Sequence, residues 1–366
     1  MNSARAVRIV LALALALVAG GGCSVGLPEG VVYPSIEPQE AAPRTVTHEF
    51  TFEGELVTIT VPVDGGLYAG AAAADKAVIR FGNARATDWI EDYYPAFVEE
   101  PHQDRFYTDV LAALRTIRDT RGLDADQYAE LLCAFVQQLD YHTDPVDLSP
   151  KFPVETFVEG SGDCDDKALL LAGLLEREGY DVAILLFEPE QHVALGIRSA
   201  EVDYKDTGYA FIETTAGGFV GMEPEEVGDG GTLTSEPRVF PIGSGSIPYT
   251  AGDEVKAILA TREEAVAEAT RLAPLIEDAA RALSALKEEA DAAREGLEAL
   301  RTAGDFAAYN AAIPAYNELV ERYNQAVEER NALVAQHNAY AELERTIVAG
   351  LHDRTGVFEA VSSARE

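Results

Sequence analysis

Gly162-Asp-Cys-Asp-Asp-Lys-Ala-Leu-Leu-Leu-Ala-Gly-Leu-Leu-Glu-Arg-Glu-Gly179 is the stretch on which the fold turns. Asp163 has the chemistry of a helix N-cap, because a short carboxylate accepts from amides that the first turn leaves unpaired, and Asp166 three residues on supplies a capping-box-like partner. Gly179 provides the turn that ends the helix, so both ends of a segment running from Cys164 to about Glu178 are specified. Downstream, residues 181–187, 192–198 and 209–214 are apolar runs separated by Glu188-Pro-Glu-Gln191 and by the polar stretch 199–208. That pattern predicts three strands, and a helix followed by strands defines an α+β core.

Cys164 opens the helix, which matters chemically. A thiol becomes a useful nucleophile near positive potential and beside a base that a third group orients. The unpaired amides and dipole of a helix start favour a thiolate, and the same amides could hold an oxyanion. Asp163, Asp165 and Asp166 oppose this, so an imidazole partner is required. His192 is the candidate because it starts the next strand but one, whereas His48, His102, His142, His337 and His352 lie in segments with no evident route to Cys164. If strands 192–198 and 209–214 form a hairpin, His192 faces Glu213 and Gly196 faces Tyr209. His192, Ala194 and Gly196 then share a face with Tyr209, Phe211 and Glu213, while Val193, Leu195 and Ile197 point into the core. A zinc site from Cys164, His192 and Asp166 lacks a second cysteine or histidine at ligand spacing, and no loop has the calcium-binding pattern, so neither a metal nor a cofactor is expected.

Several other stretches join this set in order: Tyr141, Phe152-Pro-Val-Glu-Thr-Phe157, Gly179-Tyr-Asp-Val182, His192-Val193 and Glu213-Thr-Thr215. With Gly162-Asp-Cys164 they resemble the transglutaminase-like cysteine-enzyme superfamily, in its prokaryotic and archaeal surface-protein branch, over residues 130–225. The resemblance implies a papain-like core with Cys164 as nucleophile, His192 as general base and then acid, and Glu213 orienting the imidazole. Glu213 stands where that family most often has Asp. No oxyanion side chain carries over, although Gln137, Gln138 and Tyr141 lie in the region where one belongs. The implied activity is acyl transfer from a peptide or protein amide through a thioester, with water as the expected acceptor. The alternative is a non-catalytic surface module that binds peptide or polymer through the same fold.

Around this core the chain has 366 residues, 47% hydrophobic and 25% charged, enough for about two domains and a sizeable core. Its 63 acidic against 28 basic residues give a formal charge of −35, which repels phosphate backbones and excludes nucleic acid as a natural partner. Such a surface suits high salt and is consistent with an archaeal source. At the N-terminus, Arg5 and Arg8 precede an apolar run, residues 9–18, and Ala19-Gly-Gly-Gly-Cys23 follows. Residues 1–22 are therefore expected to be a secretory signal with lipidation at Cys23, or an uncleaved anchor over residues 9–27. Either places the protein outside the membrane and tethered to it. Residues 23–43 carry Pro28, Pro34, Pro38 and Pro43 and are expected to be an extended spacer.

Residues 44–250 form the expected transglutaminase-like domain, opening with a β-hairpin over 45–52 and 56–63. Helices follow at 74–79, 103–120 and 125–139, the last carrying Cys133 as a small core residue. Residues 251–350 are expected to be a long antiparallel helical hairpin or coiled coil, with a tail from 351 to 366. Apolar residues step by three and four from Val255 and Ile258 through Leu272, Leu283 and Leu297 to Leu300, broken by Arg262. The second arm carries Asn310, Asn317, Asn324, Asn331 and Asn338 at seven-residue spacing, with Tyr309, Tyr316, Tyr323, Arg330 and His337 one position earlier. Ile313, Val320, Val327, Val334 and Ala341 lie three residues after the asparagines. Asparagine is expected on the seam, where it fixes register, and self-association through helices 253–349 is a possible role of the arms.

Overall fold

The computed structural model describes residues 30–81, 89–143, 149–224, 227 and 231–364; the signal region and Cys23 lie outside the described residues. In chain order the elements are β1 (Gly30–Val32), β2 (Arg44–Phe52), β3 (Glu55–Val63), α1 (Gly65–Ala73), β4 (Ile79–Phe81), α2 (Tyr93–Val98), α3 (Asp104–Arg121), α4 (Ala125–Gln137), β5 (Asp140–Tyr141), α5 (Pro153–Glu159), β6 (Ser161–Gly162) and α6 (Cys164–Arg177). There follow β7 (Val182–Phe187), β8 (His192–Arg198), β9 (Tyr209–Ile212), β10 (Arg238–Ile242), α7 (Gly252–Thr302), α8 (Phe306–Ala349) and α9 (Arg354–Ala364). The fold is α+β, with small antiparallel sheets and a long C-terminal helix pair. Two compact units emerge: one runs through Lys256 and takes back Leu351–Gly356, the other comprises Ala257–Gly350 and Val357–Glu366.

The centre of the first unit is α6, whose apolar residues from Ala168 to Leu175 are almost wholly buried. It packs against α2, α3, α4 and α5 and against β7 and β8. Those strands belong to an antiparallel sheet in the order β10-β7-β8-β9. β8 is central and covered on both faces, so His192, Ala194 and Gly196 are as buried as Val193, Leu195 and Ile197. Leu185, Phe187, Ala194, Tyr204 and Phe211 form one apolar cluster against it. The opening hairpin of β2 and β3 turns on Glu53-Gly54, both with positive φ, which suits the twist of a tight hairpin.

Four expectations outside the helix pair require correction. The β8–β9 register places Gly196 opposite Phe211 and Arg198 opposite Tyr209, two residues from the expected alignment. Arg198 explains the choice: its guanidinium lies 4.0 Å from the Tyr209 ring centroid and donates to the Tyr209 hydroxyl and to Asp181. An even slip leaves every side chain on its expected face. Residues 30–43 are not a free spacer, since β1 pairs with β4, Ile36 is buried, and the Gln39 amide donates to the Gly66 carbonyl. A Cβ on Gly65, Gly66 or Gly70 would strike the backbone of residues 37–42, so these glycines let that segment lie on α1. The helix itself begins at the Asp64 cap, and residues 74–79 are not helical. Lastly, the expected tail over 351–366 is corrected for its described residues 351–364, where Leu351–Gly356 joins the first unit and α9 follows.

In the second unit Arg271, Lys287 and Arg301 have Tyr340, Tyr323 and Tyr309 as electrostatic neighbours, so positions descend on α8 as they rise on α7. The helices are antiparallel. On α7 the half-buried positions from Ile276 to Leu300 include Ala279, Leu283, Leu286, Ala290, Ala293 and Leu297. On α8 the seam differs from expectation: Tyr309, Tyr316, Tyr323, Arg330 and His337 are half-buried together with Ile313, Val320, Val327, Val334 and Ala341. Asn310, Asn317, Asn324, Asn331 and Asn338 are all exposed. Both columns keep seven-residue spacing, but the tyrosines bury far more apolar area, and that decides which faces inward. Replacing Tyr323 with alanine should lower unfolding stability by about 1–2 kcal/mol, while Asn324→Ala should stay within about 0.5 kcal/mol of the parent, read by urea unfolding at the helical circular dichroism band.

Candidate active site

The first turn of α6 is built by its cap. The Asp163 carboxylate accepts from the amides of Asp165 at 3.1 Å and Asp166 at 3.3 Å, and Asp166 returns a bond to the Asp163 amide at 3.2 Å. Asp166 also accepts from the Lys151 amide at 2.6 Å. Burial, reinforced by Asp163, pushes the Asp166 carboxyl up to about 7. Cys164 is the first helical residue, buried to 2% exposure, and its thiol donates to the Asp165 carboxylate at 3.2 Å. The donor atoms of Asp163, Cys164 and Asp165 lie within 4.8 Å of one another. The carboxylates here are engaged by helix amides or the thiol, which is the chemistry of a cap. The zinc set of Cys164, His192 and Asp166 is not assembled in this way, because Asp166 serves backbone amides and His192 is directed to Glu213.

α6 packs on β8, and His192 is the first residue of that strand. Its Nε2 lies 3.0 Å from Glu213 Oε2, with both side chains almost fully buried. A carboxylate only accepts, so Nε2 carries the hydrogen and Nδ1 is left as the basic nitrogen. Glu213 lies one residue beyond β9 and, with the observed register, diagonal to His192. The extra methylene of glutamate relative to aspartate suits that diagonal reach. Its other oxygen accepts from the Thr215 amide at 2.7 Å and the Thr215 hydroxyl at 2.5 Å. Burial pushes the Glu213 carboxyl up, but hydrogen bonds from His192 and Thr215 outweigh it and hold the group below the usual carboxylate range. The structure thus brings His192 and Glu213 together and sets Cys164 at the start of the helix packed beneath that strand.

Two residues that the sequence did not single out hold this region. Lys167, one turn into α6, is fully buried and donates to the carbonyls of Gln137 at 3.1 Å and Leu139 at 2.9 Å, closing the C-terminal end of α4. Burial pushes its ammonium down to about 8, with the nearby Glu213 charge acting the other way. The signal was faint, a lone lysine beside an apolar helical run. His352 is the second, reaching the Gln137 side chain from the far end of the chain at 3.0 Å. No local pattern marks it.

Oxyanion donors are narrowed by the same bonds. The amides of Asp165, Asp166 and Lys167 all serve Asp163, so the helix start does not offer them. Gln137 donates to the carbonyls of Glu213 and Gly218, and Gln138 to those of Thr51 and Ala134. Tyr141 stands exposed on β5, paired with Gly162 two residues before the cysteine. Cys133 is buried in α4, as a core thiol should be. The chain matches no family model, no curated protein and no solved structure.

Two outcomes are expected. Lys167→Met leaves two helix-end carbonyls without a donor and should lower unfolding stability by about 2–4 kcal/mol in urea. A carboxyl lowered by folding adds stability that is present above its ordinary value of 4.5 and lost as pH falls through the folded value. Thr215→Val should therefore cost about 1–2 kcal/mol near neutrality, with the deficit shrinking in acid as Glu213 protonates, measured by denaturant midpoints across pH.

Proposed function

We propose that the chain is a membrane-tethered, extracytoplasmic cysteine enzyme of transglutaminase-like type with a papain-like core, which hydrolyses peptide or protein amides. The observation that carries this reading is the buried 3.0 Å hydrogen bond between Glu213 and His192, the first residue of a strand packed against the helix that Cys164 begins. Support for the tether comes from the basic and apolar N-terminus ending at Cys23. The acidic surface disfavours binding to anionic head groups, so attachment would run through that anchor.

In this mechanism His192 Nδ1 takes the thiol proton as Cys164 Sγ attacks the amide carbonyl carbon. The C–N bond breaks as imidazolium passes its proton to the leaving amine, which produces an acyl-thioester. Nδ1 then takes a proton from water, whose oxygen attacks the thioester carbonyl carbon; the C–S bond breaks, the carboxylic acid leaves, and the proton returns to sulfur. Glu213 keeps Nε2–H in place and stabilises the charged ring. The side-chain amides of Gln137 and Gln138 bond backbone carbonyls, so neither is the oxyanion donor. Cys164 is buried, so an acyl donor reaches sulfur only when a covering group moves.

That burial, with the thiol turned to Asp165, also favours a second reading: a surface binding module in which Cys164 is inert and the helix pair spaces or assembles the protein. Alkylation of Cys164 by iodoacetamide, located by peptide mass spectrometry, separates the two. On the enzyme reading, labelling near neutral pH is fast and His192→Ala slows it by roughly tenfold or more. Slow labelling that is indifferent to His192 supports the binding module.

A further inference from the structure

Glu213 stands just past the last β8–β9 ladder pair, Leu195 with Ile212, so the sheet alone does not fix its backbone. What holds it is Gln137. The side-chain Nε2 of this buried residue donates to the Glu213 carbonyl at 2.8 Å and to the Gly218 carbonyl at 3.1 Å, clamping both ends of the loop that follows β9. Carbonyls only accept, so the amide nitrogen must face them and Oε1 must face away. The group that meets Oε1 is His352 Nε2 at 3.0 Å, and it is therefore the donor. The amide's two hydrogens and its oxygen are all committed.

His352 is also in contact with the loop itself. A Cβ built on Gly217 would come 3.1 Å from its ring, so the imidazole lies directly on the backbone between the two clamped carbonyls. The segment carrying it is anchored on both sides. The His352 carbonyl accepts from the Glu53 amide at 3.0 Å, and Arg354 is bound by Glu130 and Glu254, with Glu130 also accepting from the Tyr249 hydroxyl. His352, Gln137, Gly218 and Arg354 line one cavity of about 10 Å³, room for about one water molecule. Such a cavity leaves the ring little space to turn.

We infer that His352 and Gln137 are positioning residues for Glu213, so that the segment returning after the helix pair sets the geometry of the His192–Glu213 bond. The inference rests on the proposed role of that bond. His352→Ala removes the donor to Gln137 Oε1, frees the amide to rotate, and lets the 213–218 loop drift. His352→Gln keeps an N–H near the position of Nε2 and should rescue.

Two measurements on the full chain test it. Hydrogen exchange over residues 209–220 should quicken by roughly tenfold in His352→Ala and return to the parental rate in His352→Gln. The pH profile of Cys164 alkylation by iodoacetamide should lose its near-neutral reactivity by about threefold to tenfold in His352→Ala, in the same direction as Glu213→Gln. Gly217→Ala, whose added methyl crowds the ring without deleting a polar group, should act likewise if His352→Ala does not fold. Unchanged loop exchange in both His352→Ala and Gly217→Ala overturns the clamp. An alkylation profile that moves in Glu213→Gln but not in the His352 or Gly217 variants overturns the positioning role and leaves the proposed function standing. A profile that moves in none of them, Glu213→Gln included, overturns the proposed function and the inference with it.

Discussion

Two ionisable side chains are held 3.0 Å apart almost entirely out of water at His192 and Glu213, and the surrounding structure answers to that constraint. An unpaired buried charge costs several kcal/mol, and a misplaced partner recovers little of it. The pair therefore needs fixed backbones on both sides. β8 is fixed by its position in the middle of the sheet, but Glu213 lies beyond the ladder and is fixed by side chains instead. Thr215 saturates one oxygen of the carboxylate, Gln137 holds the carbonyl behind it, and Lys167 holds the carbonyl of Gln137 in turn. The acid is connected to the first turn of α6 by that chain of bonds, which begins one turn from Cys164.

The opposing electrostatics of that turn have a structural explanation. Asp163 and Asp166 cap the helix, which stabilises its start but engages the amides of Asp165 and Asp166 that would otherwise stabilise negative charge. The helix dipole and the acidic cap pull a thiol in opposite directions. On the proposed function, activation then falls to the imidazole, and the investment of bonds around Glu213 is what makes the imidazole dependable.

The second unit shows a competition of another kind. Two columns on α8 share one seven-residue repeat and differ by a single position, so either could face α7. Tyrosine wins over asparagine because a phenol ring buries apolar area and keeps its hydroxyl at the rim, whereas a seam asparagine would need a buried partner for its amide. Arg330 and His337 continue the tyrosine column inward because a long or amphipathic side chain covers apolar surface while its polar end reaches water.

Much of the architecture was legible in residues 162–198. The cap at Asp163, the stop at Gly179 and the strands after it depend on near neighbours in the chain, and they formed as written. Period-two alternation also told which side chains of β8 and β9 share a face, so the meeting of His192 with Glu213 survives the two-residue change from the register the sequence suggested. The register itself could not be read, because two even alignments present the same faces and only the packing of Arg198 against Tyr209 and Asp181 separates them. His352 was set aside because its segment showed no route to Cys164, and nothing in the sequence singled out Lys167. By itself the sequence determined the elements of residues 162–198, their ends and their faces, since these follow from local hydrogen bonding and periodicity. Tertiary structure alone decided which buried donors meet which carbonyls, because such bonds join residues up to 215 positions apart and depend on the arrangement of the whole unit.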